Sequence, residues 1–354
     1  MPSRNDVVAT MNELFRGSLA FMAFLIAMVL SKRLCDPSSY LYILDHPNVR
    51  SLHDEPTPRG GGLAILAALG ITWPLALILV HPPHGLAGLA AGLGMIAAIS
   101  FLDDRQDVPP VIRLMVQTGA ALMLIMAGPG LNTINLPVAG LLFPPGLYAA
   151  LLVLFVVWFI NLYNFMDGMD GFAGGMGVIG FACLSIMGWM AGEITFASLA
   201  ILVSMANLGF LVLNLPPARI FMGDTGSASM GFLAAAFSLW GVRNGVFPLW
   251  IPILVFSPFV VDATVTLIRR LLRREKVWQA HRSHYYQRLV RLGWGHGRTV
   301  FREFGLMLAV GISAILLNRL DRIWGLTGIL IWAGLYALMA IGVHRLEMRT
   351  RITP

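Results

Sequence analysis

Carboxylates, amides, imidazoles and guanidiniums gather in five places along an otherwise apolar chain. These are His53–Gly62 (HDEPTPRGGG), Asp103–Asp107 (DDRQD), Asn161–Gly171 (NLYNFMDGMDG), Phe221–Ser227 (FMGDTGS) and the basic stretch Arg269–Arg302. Asn161, Asn164, Asp167 and Asp170 recur at every third position, so a helical turn would place their oxygens on one face. Gly168, Gly171, Gly174 and Gly175 leave room for close backbone approach to a ligand. Asp224, alone among small residues, suits a hard cation with open positions. Magnesium takes one or two carboxylates and completes its shell with water and phosphate oxygens. An amide oxygen from Asn164 would be the second protein ligand. Asp103 and Asp104 can bind metal, orient a substrate or accept a proton. Arg113 and Gln117, four residues apart, follow them on one helical face. The glycines at 60–62 free backbone N–H groups and Arg59 can pair with a phosphate, and His281, Arg282 and His284 supply cationic and imidazole donors suited to a pyrophosphate.

Each cluster alone has an ordinary reading. An Asp before a helix is a cap. Asparagines, aspartates and glycines together make a solvated turn. A basic cluster can simply touch anionic lipid. Asp262 lies inside an apolar run, four residues after Pro258. An intramembrane carboxylate is functional by default, or it pairs with Thr266 or Arg269.

The elements that position these groups follow from composition. The 354 residues are 57% hydrophobic and 12% charged, with mean hydropathy +0.75. A soluble domain carries about 25% charged residues. A membrane crossing needs about 20 apolar residues. The apolar runs predict an all-α integral membrane protein, a single domain over 1–354, with eleven spans: 14–30, 61–80, 86–102, 111–128, 146–163, 172–191, 194–214, 227–242, 246–268, 303–319 and 323–343. The first run reads as a retained anchor rather than a cleaved signal peptide. Repeats, linkers and low-complexity segments are not evident. With the loop after the first span placed inside, 20 of the 25 basic residues fall on one face, which the positive-inside rule makes cytoplasmic. The N-terminus is then outside and the C-terminus inside, and all five clusters share the cytoplasmic face. A charge near mid-bilayer costs about 2.5–3.5 kcal/mol or more, which carboxylates at helix ends avoid.

The net charge of +7 comes mainly from the segment after the ninth span. No nucleic-acid module accompanies it, so nucleic acid is excluded as a partner. Cys35 and Cys183 form neither a disulfide framework nor a zinc site.

Taken together, HDEPTPRGGG, DD with RLMVQ, NLYNFMDGMDG, NLPPARIFMGDTGS and HRSHYYQRL resemble, in order, the polyprenyl-phosphate N-acetylhexosamine-1-phosphate transferase family of the MraY and WecA type. The resemblance covers about residues 50–300. Where many members carry HxHH, this chain carries HRSH at 281–284, which looks more like the branch that starts O-antigen and related surface polysaccharides. The resemblance implies transfer of an N-acetylamino-sugar 1-phosphate from a UDP-sugar to undecaprenyl phosphate, releasing UMP, at the bacterial inner membrane. UDP-GlcNAc, UDP-QuiNAc and UDP-FucNAc stay open as donors. It implies magnesium, with manganese as the alternative, held by Asp224 and Asn164. Asp170, Gly171 and Phe172 would shape a uracil pocket, Phe221 would stack on the ring, and Asn214 would lie nearby. Arg59 and Asn161 join this substrate-binding set. Asp103, Asp104 and Asp167, with His281, Arg282 and His284, are the implied catalytic set. A homodimer is one assembly open to such an enzyme.

A phosphate monoester has its second pKa near 6, so the lipid phosphate is already mostly dianionic at neutral pH. A base therefore gains little. The larger barrier is bringing two anions together, so Asp103 and Asp104 are expected to orient groups or associate with metal first. Two other classes fit a polytopic chain. A transporter would more often place polar residues at mid-membrane and show internal repeats. A CDP-alcohol phosphotransferase carries DGxxAR, whereas Asp170-Gly171 here leads to Phe172-Ala173-Gly174.

The topology has a direct test. With both native cysteines replaced, a His296→Cys protein should resist an impermeant thiol reagent applied from the periplasmic side. Labelling from that side overturns the orientation.

Overall fold

The computed structural model describes residues 4–45, 47, 52, 55–78, 82, 84–128, 133–135, 140–276 and 281–352. His53 and Asp54 of the first cluster lie outside this set. The chain forms α1 (Arg4–Leu34), α2 (Gly61–Ala76), α3 (Leu86–Gln106), α4 (Pro110–Ala127), α5 (Pro145–Phe165), α6 (Phe172–Met190), α7 (Ile194–Asn214), α8 (Gly223–Arg243), α9 (Trp250–Val255), α10 (Ser257–Leu272), α11 (Tyr285–Leu289), α12 (Gly295–Leu317) and α13 (Arg322–Ile352). A wide helical turn, Val290–Trp294, joins α11 to α12.

Among the described residues, eight helical stretches are long and apolar enough to cross a membrane. They coincide with eight of the expected spans, and the protein is an integral membrane protein built almost wholly of helix. The three remaining expectations need correction in detail. Among the described residues of the run at 61–80, the helix covers Gly61–Ala76, 16 residues. The run at 246–268 is broken at Phe256 into α9 and α10. Pro258 follows the break in the first turn of α10, where its missing N–H is tolerated but a continuous helix is not.

The third, α8, is long enough at 21 residues but less apolar, and its packing explains why. Every residue from Thr225 to Leu239 is buried. Helices α2, α3, α5, α6 and α7 surround it. Such a helix faces protein rather than lipid, so it needs small residues for close approach more than greasy ones. Its GDTGSASMGFLAAAFS segment supplies them. A Cβ on Gly231 would lie 2.4 Å from the Phe159 carbonyl oxygen of α5. A Cβ on Gly62 of α2 would lie 2.2 Å from the Gly226 Cα of α8.

The all-α expectation also missed two small antiparallel hairpins. β1 (Ile43–Asp45) pairs with β2 (Thr57–Arg59), and β3 (Thr133–Asn135) with β4 (Gly140–Leu142). β2 is tied to the entry of α8: the Phe221 N–H donates to the Pro58 carbonyl at 2.8 Å, and the N–H groups of Gly60 and Gly61 donate back to the Phe221 carbonyl. The Gly62 N–H donates to the Met222 carbonyl at 2.9 Å. The glycine triplet thus anchors α2 to α8; its N–H groups are not left for a phosphate.

This arrangement brings the C-terminal ends of α3, α5 and α7 together with the N-terminal ends of α2, α4, α6 and α8 at one end of the bundle. Gly231→Ala should destabilise the protein by about 1–3 kcal/mol, because backbone must move to admit the methyl group. Gly94→Ala on α3, whose Cβ would meet nothing within 4 Å, should not destabilise it. Thermal unfolding in detergent measures both.

Candidate active site

At that end, the carboxylate of Asp104 reaches from the last turn of α3 to the first turn of α8. Its Oδ1 accepts the Asp224 N–H at 3.0 Å. Its Oδ2 accepts the Thr225 N–H at 2.9 Å and the Thr225 hydroxyl at 2.6 Å. The first N–H groups of a helix have no intrahelical partner, and here a carboxylate from another helix satisfies them. Gly223, at φ +75°, makes the sharp entry; a Cβ there would sit 3.1 Å from Asp104.

The neighbouring Asp103 is held as firmly. It accepts the Val108 N–H at 2.8 Å and pairs with Arg113. The Arg113 guanidinium also lies 3.4 Å from Asp224. Arg59 donates to the Asp104 main-chain carbonyl and stands 3.7 Å from the carboxylates of both Asp45 and Asp104.

Two clefts meet here. The first, about 300 Å³, is lined by Asp45, Arg59, Asn164, Asp167, Asp170, Asn214, Phe221, Asp224, His281, Gln287 and His296, among others. The second, about 400 Å³, is lined by Arg59, Asp103, Asp107, Val108, Pro109, Pro110, Arg113 and Asp224. Arg59 and Asp224 border both.

Asp224 opens onto these clefts, with its side chain 37% exposed. Removal from bulk water raises its pKa first, and the charges of Asp104 and Asp103 raise it further, to about 7. Burial likewise pushes Asp167 well above the carboxylate range, with Asp224, Asp104 and Asp45 adding to the rise. Asn164, whose amide donates to the Ser227 hydroxyl at 3.0 Å, favours the ionised form of Asp224. A wall of carboxylates that resist ionisation together is a place where a dication fits. Among the described residues no three Asp, Glu, His or Cys side chains converge into a cage. Asp224 and Asn164 are the residues that could hold a cation of the kind that keeps most of its shell for water and phosphate.

Beyond Asp224, a turn after α5 closes the first cleft. Asn214, at the end of α7, accepts the Gly171 N–H at 3.0 Å and donates to the Ile220 carbonyl at 2.8 Å. Asp170 accepts the Ala218 N–H at 3.1 Å and pairs with His296 at 3.1 Å. This network fixes the 215–221 segment and sets Phe221 on the cleft wall.

The opposite wall is the 281–287 segment, and Asp262 holds it. Its carboxylate accepts the N–H groups of Tyr285 and Tyr286 at 2.9 and 3.2 Å, the Thr266 hydroxyl at 3.1 Å, and lies 3.3 Å from His284 Nδ1. Asp262 is thus a cap for α11, and its Thr266 partner is one of those expected. His281 lines the cleft, but burial and then the nearby charges of His284 and Arg270 lower its pKa to about 4. It is neutral at physiological pH and can offer a hydrogen bond rather than a positive charge.

Several expected site residues are placed elsewhere. The Asn161 amide donates to Gln117 at 2.7 Å, joining α5 to α4; past Phe165 the helix ends, so Asp167 and Asp170 do not continue the stripe on one helical face. Phe172 is buried between Phe259 and Tyr286, at ring distances of 4.7 and 4.9 Å, and supports the floor rather than the cleft surface. His284 is buried against Asp262. Arg282 lines a separate basic pocket, on the other side of the segment from His281. Conversely, Asp45, Gln287 and His296 line the cleft unforeseen. His296 had a signal, a histidine between Gly295 and Gly297 in the basic stretch; Asp45 had none.

The chain also has recognisable relatives. Residues 86–242 match the family described as glycosyl transferase family 4. The chain is 31% identical over 284 residues to a "Probable undecaprenyl-phosphate N-acetylglucosaminyl 1-phosphate transferase" of Bacillus subtilis (strain 168), covering 79% of this chain and 78% of the relative. It is 28% identical over 341 residues to a "Decaprenyl-phosphate N-acetylglucosaminephosphotransferase" of Mycobacterium tuberculosis (strain ATCC 25618 / H37Rv), covering 86% and 83%. It is 28% identical over 268 residues to an "Undecaprenyl-phosphate alpha-N-acetylglucosaminyl 1-phosphate transferase" of Escherichia coli (strain K12), covering 71% and 70%.

Asp104→Asn should lower folding stability by about 1–3 kcal/mol, because one buried donor of α8 loses its acceptor. The measurement is thermal unfolding without metal or substrate, so that an architectural role is read apart from turnover. An unchanged midpoint would remove Asp104 as the cap.

Proposed function

The chain belongs to glycosyl transferase family 4, and on that premise we propose that it moves an N-acetylamino-sugar 1-phosphate from a UDP-sugar to undecaprenyl phosphate, releasing UMP. The observation that carries this reading is the pair of clefts meeting at Asp224 and Arg59. The relatives' names supply a polyprenyl phosphate and an N-acetylglucosamine phosphate as partners. The first cleft suits the donor, with Phe221 available to stack on uracil and Asp170, Asn214 and His296 shaping the end of the pocket. The second suits the lipid phosphate. It opens beside the first turns of α4, where Val111 and Met115 are exposed and apolar, as a lipid-facing entrance requires.

In the reaction, a lipid-phosphate oxygen bonds to the β-phosphorus of the donor. The bond from that phosphorus to the bridging oxygen breaks, and UMP leaves with the electron pair. Arg113 and Arg59 offset the negative charge of the two phosphates as they approach. Asp103 and Asp104 hold Arg113 and the start of α8 in place, and neither needs to take a proton. Magnesium held by Asp224 and Asn164 would supply the remaining positive charge, and manganese could supply the same. His281 contributes a neutral hydrogen bond at the sugar-phosphate end.

We place α2, α8 and the α9–α10 pair as the remaining crossings, eleven in all, with the clefts on the cytoplasmic face of a bacterial inner membrane. The distribution of Lys and Arg supports that orientation. HRSH at 281–284 supports a product that starts a lipid-linked surface polysaccharide such as O-antigen. The decisive assay is UMP release from a panel of UDP-sugars with polyprenyl phosphate; no release with any donor would sink the reading.

Two substitutions divide the roles. Asp224→Asn should leave less than about a tenth of wild-type turnover, a loss above ~1.4 kcal/mol. A folded variant above that level would clear Asp224 of metal binding. Phe221→Ala should mainly raise the donor KM, by the equivalent of about 1–3 kcal/mol, because stacking on a base is alike in ground and transition states. An unchanged KM with a collapsed kcat would move Phe221 out of the uracil pocket.

A further inference from the structure

The 281–287 segment has a second side. Facing away from the donor cleft is a pocket of about 370 Å³ between the end of α10, α11 and the end of α13. Six arginines line it against two glutamates. The two carboxylates are already engaged. Glu275 accepts from Arg270 Nε at 2.9 Å, and Glu347 accepts from Arg288 Nε and Nη2, each at 2.6 Å. Among the described residues, Arg269, Arg273 and Arg291 form no ion pair. Arg288 is more than nine-tenths buried, held by Glu347 and stacked on the Tyr285 ring at 4.6 Å, so it forms the back of the pocket rather than its opening. Six guanidiniums against two engaged carboxylates leave an excess of positive charge that an anion would offset.

The surroundings choose the anion. The pocket sits where α10 ends in Arg269, Arg270 and Arg273, and its rim includes Met348 of α13. Ile268, Leu271 and Leu272 of α10 are exposed, Leu272 to 80%. Charged heads in a pocket, with exposed aliphatic side chains beside them, match a molecule that is anionic at one end and a hydrocarbon at the other. We propose that this pocket binds the phosphodiester headgroup of an anionic membrane phospholipid, its acyl chains lying on the apolar surface of α10. Arg282 and Ser283 line this pocket while His281 lines the donor cleft, so a bound headgroup braces the segment that forms the cleft wall.

The test reads lipid binding rather than transfer, so it stands or falls apart from the proposed reaction. The purified, delipidated full chain in detergent is titrated with dioctanoyl phosphatidylglycerol, dioctanoyl phosphatidylcholine or glycerol 3-phosphate. Adducts are counted by native mass spectrometry. Wild type should take up one phosphatidylglycerol per chain at least tenfold more tightly than phosphatidylcholine. Arg269→Gln/Arg273→Gln/Arg291→Gln should lose that preference, whereas Arg105→Gln, a basic residue outside the pocket, should keep it. If the triple variant does not fold, Arg273→Gln alone, at an exposed position past the helix end, should weaken phosphatidylglycerol at least threefold. Retained preference in the triple variant or, failing that, in Arg273→Gln overturns the site. Glycerol 3-phosphate binding as tightly as phosphatidylglycerol overturns the lipid and leaves a free-phosphate site.

Discussion

A carboxylate of one helix capping the first turn of another is the interaction on which this site rests. Asp104 of α3 satisfies the opening N–H groups of α8, and Asp262 of α10 does the same for α11. In each case the capped helix begins beside residues that line the donor cleft, Phe221 to Asp224 in one and His281 in the other. Helix N-termini carry partial positive charge, so each contact is electrostatic as well as directional. It also resolves the presence of nearly buried acids in an apolar bundle, because each has donors for both oxygens.

The same contacts sort the carboxylates by task. Asp103 and Asp104 are committed to Val108, Arg113, Asp224 and Thr225 within the protein. Asp224 is not capped in this way and opens onto both clefts. Its raised pKa records the same fact, since burial and its committed acidic neighbours make its charge costly. Arg59 borders both clefts and Arg113 lines the second, so two guanidiniums stand close to Asp224 where the clefts meet.

Much of this was legible in the sequence because apolar runs and their polar ends are local patterns. That Asn164, Asp167, Asp170, Asn214, Phe221 and Asp224 share one site was implied by the family resemblance that the motifs at the span ends carry, and all six line one cleft. What the sequence could not show was direction. Asn161 lies in the same three-residue series as Asn164 and in the same helix, but Gln117 of α4 engages Asn161 while Asn164 lines the cleft. His281 and Arg282 are adjacent, and an extended segment sends them to different pockets. The glycines at 60–62 looked like phosphate donors because their N–H groups are free in isolation; only the bridge to Phe221 shows where those groups go. Asp45 enters through a hairpin whose pairing partner lies beyond a loop, and no periodicity marks it.

The burial of α8 bears on how the protein is made. A helix rich in Gly, Ala and Ser gains less from lipid than its neighbours do, so it is the poorest of the core helices at settling into a bilayer by itself. Its principal contacts are with α2, α3, α5, α6 and α7. All five are synthesised before it. When α8 leaves the ribosome, its socket is already complete, and it can pass from the insertion machinery into protein without a stay in lipid. The chain order of this bundle is thus also an order of assembly, with the element that carries Asp224 arriving after the walls that receive it.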